Sequence, residues 1–428
     1  MTRLSRSTRA PATFVLLVYG VWLLAMWSSG HDARDFIHMG RRYAFAPHAV
    51  SLFTPDPRYR YATRTNGYDG QFAYYIAVNP VGARLHLDRV NYRYTRIVYP
   101  MTARLLSFGD RALIPYALIA INWLAIGAGT YVISLWLRRR GVSPWLALVY
   151  GLSPGLFVCL QRDLEEPLAY ALVALALLVY SSVERRRTLA SGIIFAVAML
   201  TRESIVVFPL VLAASSFFTQ HSSDAFLSRR RTAALLLVPA FLPFLLYKAF
   251  LLAWLSPDTA AVPPGLLPRI IPFSGLLSYW PWRNHQVEVI IGVVVPSLVW
   301  AGMGVWAVGK RHASPEVWFL LANVLVFVVM LNRLSYENIY ATSRIATGVV
   351  LAMLLSISTF DRLTGGSRLW LSLSALLWFL PWPILVSFVE QVPLTRALLL
   401  ETIAALCLWA LAERSLHMGE ARTSRSRG

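Results

Sequence analysis

Ionisable side chains make up only 14% of this 428-residue chain, and they gather where apolar segments end. Asn66-Gly67-Tyr68-Asp69-Gly70-Gln71-Phe72 sets a carboxylate between glycines, just ahead of an aromatic segment. Glycine lets neighbouring backbone approach a ligand closely, and an aspartate at a helix start is favoured by the helix dipole. Asp69 could therefore sit beside a bound ligand, or simply cap the helix that follows. Further on, Arg89, Arg93 and Arg96 alternate with Tyr92 and Tyr94. Forked guanidinium donors match a phosphate or pyrophosphate, and the same residue types also anchor proteins at phospholipid head groups. Three shorter clusters carry more charge: Arg162, Asp163, Glu165 and Glu166; Arg202-Glu203; and Arg333, Glu337 and Arg344. Charged groups beside apolar spans are costly, which makes them functional candidates.

Other chemistries find less support. There is no phosphate-binding glycine loop, no Gly-x-Ser-x-Gly elbow and no His-Glu-x-x-His, so a cytosolic nucleotide is not expected as direct substrate. The 8 histidines lack ligand spacing; only His31 and His38, flanking Asp32 and Asp35, could face one another. No cofactor is called for, and a divalent cation is compatible with the carboxylates without being indicated. Cys159 and Cys407 both lie in apolar runs and read as small hydrophobes.

The elements that must position these groups are helices in a membrane. The chain is 57% hydrophobic, with a mean hydropathy of +0.55, which excludes an ordinary soluble enzyme, a disordered chain and a disulfide scaffold. Its 40 Lys and Arg against 21 Asp and Glu give a net charge of +19, with Lys248 and Lys310 the only lysines. In a soluble protein that balance would suggest nucleic acid; here it concerns topology and lipid head groups, and no nucleic-acid partner is expected.

Apolar runs fall at about 12–28, 112–137, 143–160, 167–183, 189–203, 204–218, 232–254, 286–308, 315–331, 345–360, 369–389 and 394–412. The expected fold is an all-α polytopic membrane protein: one integral membrane domain over 1–428, with about 12 transmembrane helices. Arg138–Arg140, Arg185–Arg187, Arg229–Arg231, Lys310-Arg311, Arg362, Arg368 and a basic tail at 413–428 fall on one side with the N-terminal arginines. That side is the cytoplasm by the positive-inside rule, which puts both termini inside. The first apolar run ends without a small-x-small cleavage pattern and reads as a retained anchor. Within 189–218 a single span would bury Arg202-Glu203 in lipid, so two short helices meeting near Thr201-Arg202-Glu203 are expected, with a re-entrant hairpin as the alternative.

The charged clusters then share the external face with a long first loop at 29–111. That loop holds 12 arginines, 6 aspartates and 14 aromatics, too many rings for a solvated linker. Amphipathic helices are expected at Ala33–Ala44, Gln71–Val78 and Thr95–Phe108, lying flat on the outer leaflet.

Tyr68-Asp69-Gly70-Gln71-Phe72-Ala73-Tyr74-Tyr75-Ile76-Ala77 resembles the aromatic-Asp-Gly segment in the first external loop of GT-C type glycosyltransferases, particularly their mannosyltransferase-like branch. Arg96 through Leu106 is similar to the aromatic-Pro-leucine stretch that follows in those enzymes, and Ala198 through Glu203 to their Leu-x-Arg helix break. The nearest likeness is to bacterial cell-surface glycopolymer formation proteins. The resemblance implies transfer of a sugar from a polyprenyl-phosphate donor to a glycan or lipid-linked acceptor, outside the bacterial cytoplasmic membrane and among its lipids. Asp69 matches the catalytic base, with Gln71 and Tyr75 beside the substrate. Tyr68 departs from the tryptophan usual before that aspartate, and Asp32 and Asp35 are rivals, since many of these enzymes carry an acid soon after the first helix. The phosphate is expected on some of Arg93, Arg96, Arg202, Arg333 and Arg344. Glu165, Glu166 and Glu203 would orient sugar hydroxyls or hold those arginines. Two other readings stay open: a lipid-linked sugar flippase, and a non-catalytic partner in polysaccharide assembly.

Overall fold

Unbroken runs of Leu, Val, Ile, Ala and Trp leave the backbone no partner in lipid except itself, and helices satisfy every backbone group internally. In the computed structural model the described residues are 7–44, 66–181, 185–218, 224–255, 270–364, 371, 374–375 and 377–382, and they are helical with no strand among them. Four helices are long and apolar enough to cross a membrane: Arg9–Ser28, Ile114–Arg139, Arg230–Trp254 and Asn284–Gly309. Two bent pairs, Pro144–Gly151 with Pro154–Gln161 and Ile339–Ile345 with Thr347–Leu363, raise the number to six if each is one span. Glu166–Tyr180, Glu203–Ser215 and Pro315–Val329 are apolar but shorter. The described helices thus supply 4 to 6 candidate spans, consistent with a helical membrane protein. The run at 394–412, most of 369–389, the tail at 413–428, Arg3 and Arg6, and residues 45–65 of the long loop lie outside the described residues.

The chain divides into two compact units. One comprises residues 1–15, 130–157 and 262–428. In it Trp300 is fully buried against the Phe360 ring, 5.7 Å away, and Arg140 pairs with Glu316 at 2.7 Å. Arg333 stacks over Tyr279, and Arg344 lies in the last turn of Ile339–Ile345.

The other unit, residues 16–129 and 158–261, holds most of the charged clusters. Helices Glu166–Tyr180 and Arg185–Thr201 form a hairpin, and Asp224–Trp254 packs along the second of them. Close approach is possible because Gly192 faces Pro239 and the Leu236 carbonyl. The break expected near Thr201-Arg202-Glu203 is present. Arg202 is extended at φ −156°, ψ 120°, a short turn follows at Glu203–Val206, and a new helix runs Val207–Phe218.

Against the hairpin lie the described parts of the long loop, 29–44 and 66–111, and they form a folded layer. Phe72, Tyr74, Tyr75, Tyr94 and Tyr99 are buried in one apolar cluster with Ile37, Met39, Leu118 and Leu251. The rings therefore build a core between this layer and the helices Ile114–Arg139 and Asp224–Trp254. Of the three expected amphipathic helices, Gly70–Val78 forms nearly as read. The first breaks into Ala33–Ile37 and Arg41–Ala44, because His38 adopts left-handed backbone at φ 49°. The third begins only at Val98, after a separate turn at Val90–Tyr94, and ends at Leu106, with Leu105 and Phe108 exposed.

Candidate functional site

Asp69 sits immediately before Gly70–Val78 and makes no capping hydrogen bond. Its carboxylate Oδ1 instead accepts from Arg93 Nη2 at 2.9 Å, and its side chain is 27% exposed. Three turns hold it there. Tyr68 N–H donates to the His38 carbonyl at 2.9 Å, Gln71 Oε1 accepts from Gly40 N–H at 3.0 Å, and Gln71 Nε2 donates to Asn66 O at 2.7 Å. Gly70 lies directly on the Arg162 carbonyl, where a Cβ would overlap the oxygen. Gly70→Ala is accordingly expected to cost about 1–3 kcal/mol through overpacking, measured as a lowered Tm of the purified protein. An unchanged Tm would mean that this contact does not hold the turn.

Arg93 is buried beneath Asp69. Its Nε and Nη2 donate to Asp88 Oδ1 and Oδ2 at 2.7 and 2.9 Å, and its guanidinium lies 4.2 Å over the Phe72 ring. The Tyr92 ring connects Arg93 to the next group, carrying Arg89 at 4.3 Å, Arg96 at 4.4 Å and Arg93 at 5.3 Å. Arg96 grips Glu203 through Nε at 2.9 Å and Nη2 at 2.7 Å, and also donates to Glu165 and the Tyr92 hydroxyl. Arg202 closes the cluster, with Nη1 3.0 Å from Glu165 and 2.7 Å from the fully buried Glu166.

This arrangement joins the start of one hairpin helix to the break after the other, so the ion pairs fix one end of the hairpin. The Arg185–Arg187 cluster marks its opposite end. Burial alone would raise the Glu203 carboxyl, but Arg96 and Arg202 outweigh it and hold it at about 2. Burial likewise opposes charge on Arg96, and Glu203, Tyr92 and Glu165 overcome that, so the guanidinium stays protonated. Three buried arginines thus meet five carboxylates, Asp69, Asp88, Glu165, Glu166 and Glu203.

No protein-family model matches this chain, and comparison with curated proteins and with solved structures finds no similar protein.

Asp69, Arg93, Arg96, Glu165, Glu166, Arg202 and Glu203 come together in one network of contacts. The other expected site residues are placed differently. Gln71 and Tyr75 are buried at 1% and 0%; Gln71 staples the turns, and Tyr75 packs on His86. Asp32 and Asp35 cap the Ala33–Ile37 turn reciprocally, Asp32 Oδ1 accepting from Arg34 N–H and Asp35 Oδ2 from Asp32 N–H, each at 3.0 Å. Arg333 and Arg344 belong to the other unit. Among the described residues no three His, Cys, Asp or Glu side chains gather as a metal site.

Two contributors escape a reading of motifs. Asp88 precedes Arg93 by 5 positions and binds it more fully than Asp69 does. Lys248 reaches Thr95 from an apolar helix, and a lone charge in such a run was the available signal. Asp163 is also notable, with left-handed backbone at φ 49° and a fully buried carboxyl. Neither of its oxygens has a hydrogen-bond partner among the described residues, and burial pushes the group well above the usual carboxylate range.

Proposed function

We propose that this chain is a GT-C type membrane glycosyltransferase of the bacterial cytoplasmic membrane, with about 12 spans and both termini cytoplasmic. It transfers a sugar from a polyprenyl-phosphate donor to a cell-surface glycan or lipid-linked acceptor on the external face. The observation that carries this reading is Asp69, a partly exposed carboxylate tethered through one oxygen to a buried arginine, at the charged end of apolar helices. A general base needs a fixed direction and access to its proton donor. Arg93 with Asp88 and the glycine turns supply the first, and the exposed edge of Asp69 supplies the second.

In the proposed step the acceptor hydroxyl gives its proton to Asp69 as its oxygen bonds to the anomeric carbon. The bond from that carbon to the lipid phosphate breaks, the phosphate leaves with the electron pair, and the configuration inverts. The pairing of Arg93, Arg96 and Arg202 with five carboxylates suits them to building a rigid base platform more than to gripping the leaving phosphate.

Proteoliposomes carrying the purified chain and a polyprenyl-phosphate sugar separate this reading from its rivals. Glycosylated acceptor with release of polyprenyl phosphate is expected. Movement of the intact lipid-linked sugar between leaflets without transfer would make the chain a flippase, and neither process would leave an assembly partner.

A further inference from the structure

With the network's arginines committed to carboxylates, the cation for a leaving phosphate must be sought elsewhere. Lys248 lies on helix Asp224–Trp254, whose stretch Arg230–Trp254 is long and apolar enough to cross a membrane and is mostly unburied. Leu242, Leu245, Leu246, Phe250 and Leu252 are all more than half exposed and form its lipid-facing side. The other stripe, Tyr247, Lys248, Leu251, Trp254 and Leu255, recurs at helical spacing and meets the folded loop layer. Tyr247 hydroxyl donates to the Tyr94 carbonyl at 3.0 Å, and Trp254 packs edge-on against the Tyr94 ring at 5.3 Å.

Lys248 belongs to that inner stripe. Its Nζ donates to Thr95 Oγ1 at 2.9 Å, and the Thr95 hydroxyl passes its own proton to Asn91 O at 2.8 Å. An ammonium has three N–H donors, and among the described residues no carboxylate pairs with this one. Thr95 stands next to Arg96, so the ammonium lies at the rim of the charged network. Depth agrees as well. Lys248 is roughly 27 Å along the helix from Arg230, close to the hydrocarbon thickness of about 30 Å, so with Arg230 at one edge of the hydrocarbon Lys248 comes to the other, within reach of the head groups. A lysine that served only as an interfacial anchor would extend towards water; this one turns inward to a neutral hydroxyl.

We propose that Lys248 binds the phosphate of a long-chain polyprenyl phosphate, with Thr95 aiming the ammonium and the prenyl tail lying on the exposed leucine side of the helix. The lipid phosphate site rests on this geometry; its role as donor site rests on the transferase reading above.

The test measures binding of a sugar-free polyprenyl phosphate to the full chain in nanodiscs, for the native protein, Lys248→Met, Lys248→Arg and Thr95→Val. Loss of a charge-assisted hydrogen bond predicts Kd raised about tenfold or more by Lys248→Met. Lys248→Arg should stay within about threefold of the native value and Thr95→Val should fall between. The uncharged polyprenol should bind all four alike. A second readout needs no variant: bound polyprenyl phosphate should protect Lys248 from amine acylation while Lys310, the only other lysine, reacts unchanged.

Native-like binding by Lys248→Met overturns the proposal. If that variant does not fold, the acylation readout decides, and absence of protection overturns it. Equal competition by phosphatidylglycerol would reduce the site to a general lipid contact, and equal competition by inorganic phosphate to a free-phosphate site; either result also overturns it. Binding that depends on Lys248 in a protein without transfer activity would keep the site and remove the transferase reading.

Discussion

Asp69→Asn is expected to lower sugar transfer by about 10²–10⁴-fold, the range of a lost general base, while the protein still folds. The substitution is conservative in shape. The carboxamide oxygen can still accept from Arg93 Nη2, and Arg93 keeps both of its bonds to Asp88. What disappears is the carboxylate proposed to take the acceptor proton. A chain whose Asp69 merely closed an ion pair would lose some stability and little activity. Initial rates at saturating donor, with Tm measured on the same preparation, separate the two cases. Near-native activity in Asp69→Asn would remove Asp69 from the chemistry.

The largest loss of stability is expected from Arg96→Met. That guanidinium bonds Glu203 through two nitrogens and also reaches Glu165 and Tyr92. Removing one partner of a buried ion pair costs about 3–5 kcal/mol, because the remaining charge is stranded. Arg202 still faces Glu165 and Glu166, but Glu203 loses its main partner, so its carboxyl, now held at about 2, should rise. A steep fall in Tm and in the yield of monodisperse protein is the expected outcome. Glu203→Gln added to Arg96→Met should recover part of the loss, since the stranded charge is then gone. Independent, additive losses would show that the two side chains are not coupled.

Local conflicts in the sequence were legible; long-range pairings were not. The helix break at Arg202 could be read because an adjacent arginine and glutamate in an apolar run cannot face lipid. The Asp69 turn could be read because its glycines and following aromatics are contiguous. The carboxylate partners of Arg96 are separated from it by 69 and 107 positions, so nothing local distinguishes a paired arginine from a phosphate ligand. The same blindness affected the aromatics. Tyr74, Tyr94 and Tyr99 carry the composition of a membrane-interface belt, yet they are buried in a core that the loop shares with two apolar helices. Ala33–Ala44 has helical spacing throughout, but spacing carries no sign of the left-handed turn at His38. Asp32 and Asp35 occupy the sequence position of an acidic site after the first helix, and they bond their own backbone instead.

The proposed activity of this protein's charged end is sugar transfer from a lipid phosphate. Its most direct test follows the purified full chain with a panel of polyprenyl-phosphate sugars and acceptors, by mass spectrometry for products and by NMR for anomeric configuration. The prediction is stoichiometric appearance of glycosylated acceptor and sugar-free polyprenyl phosphate, with inversion at the anomeric carbon and dependence on Asp69. Product with retained configuration, or turnover undiminished in Asp69→Asn, would contradict it.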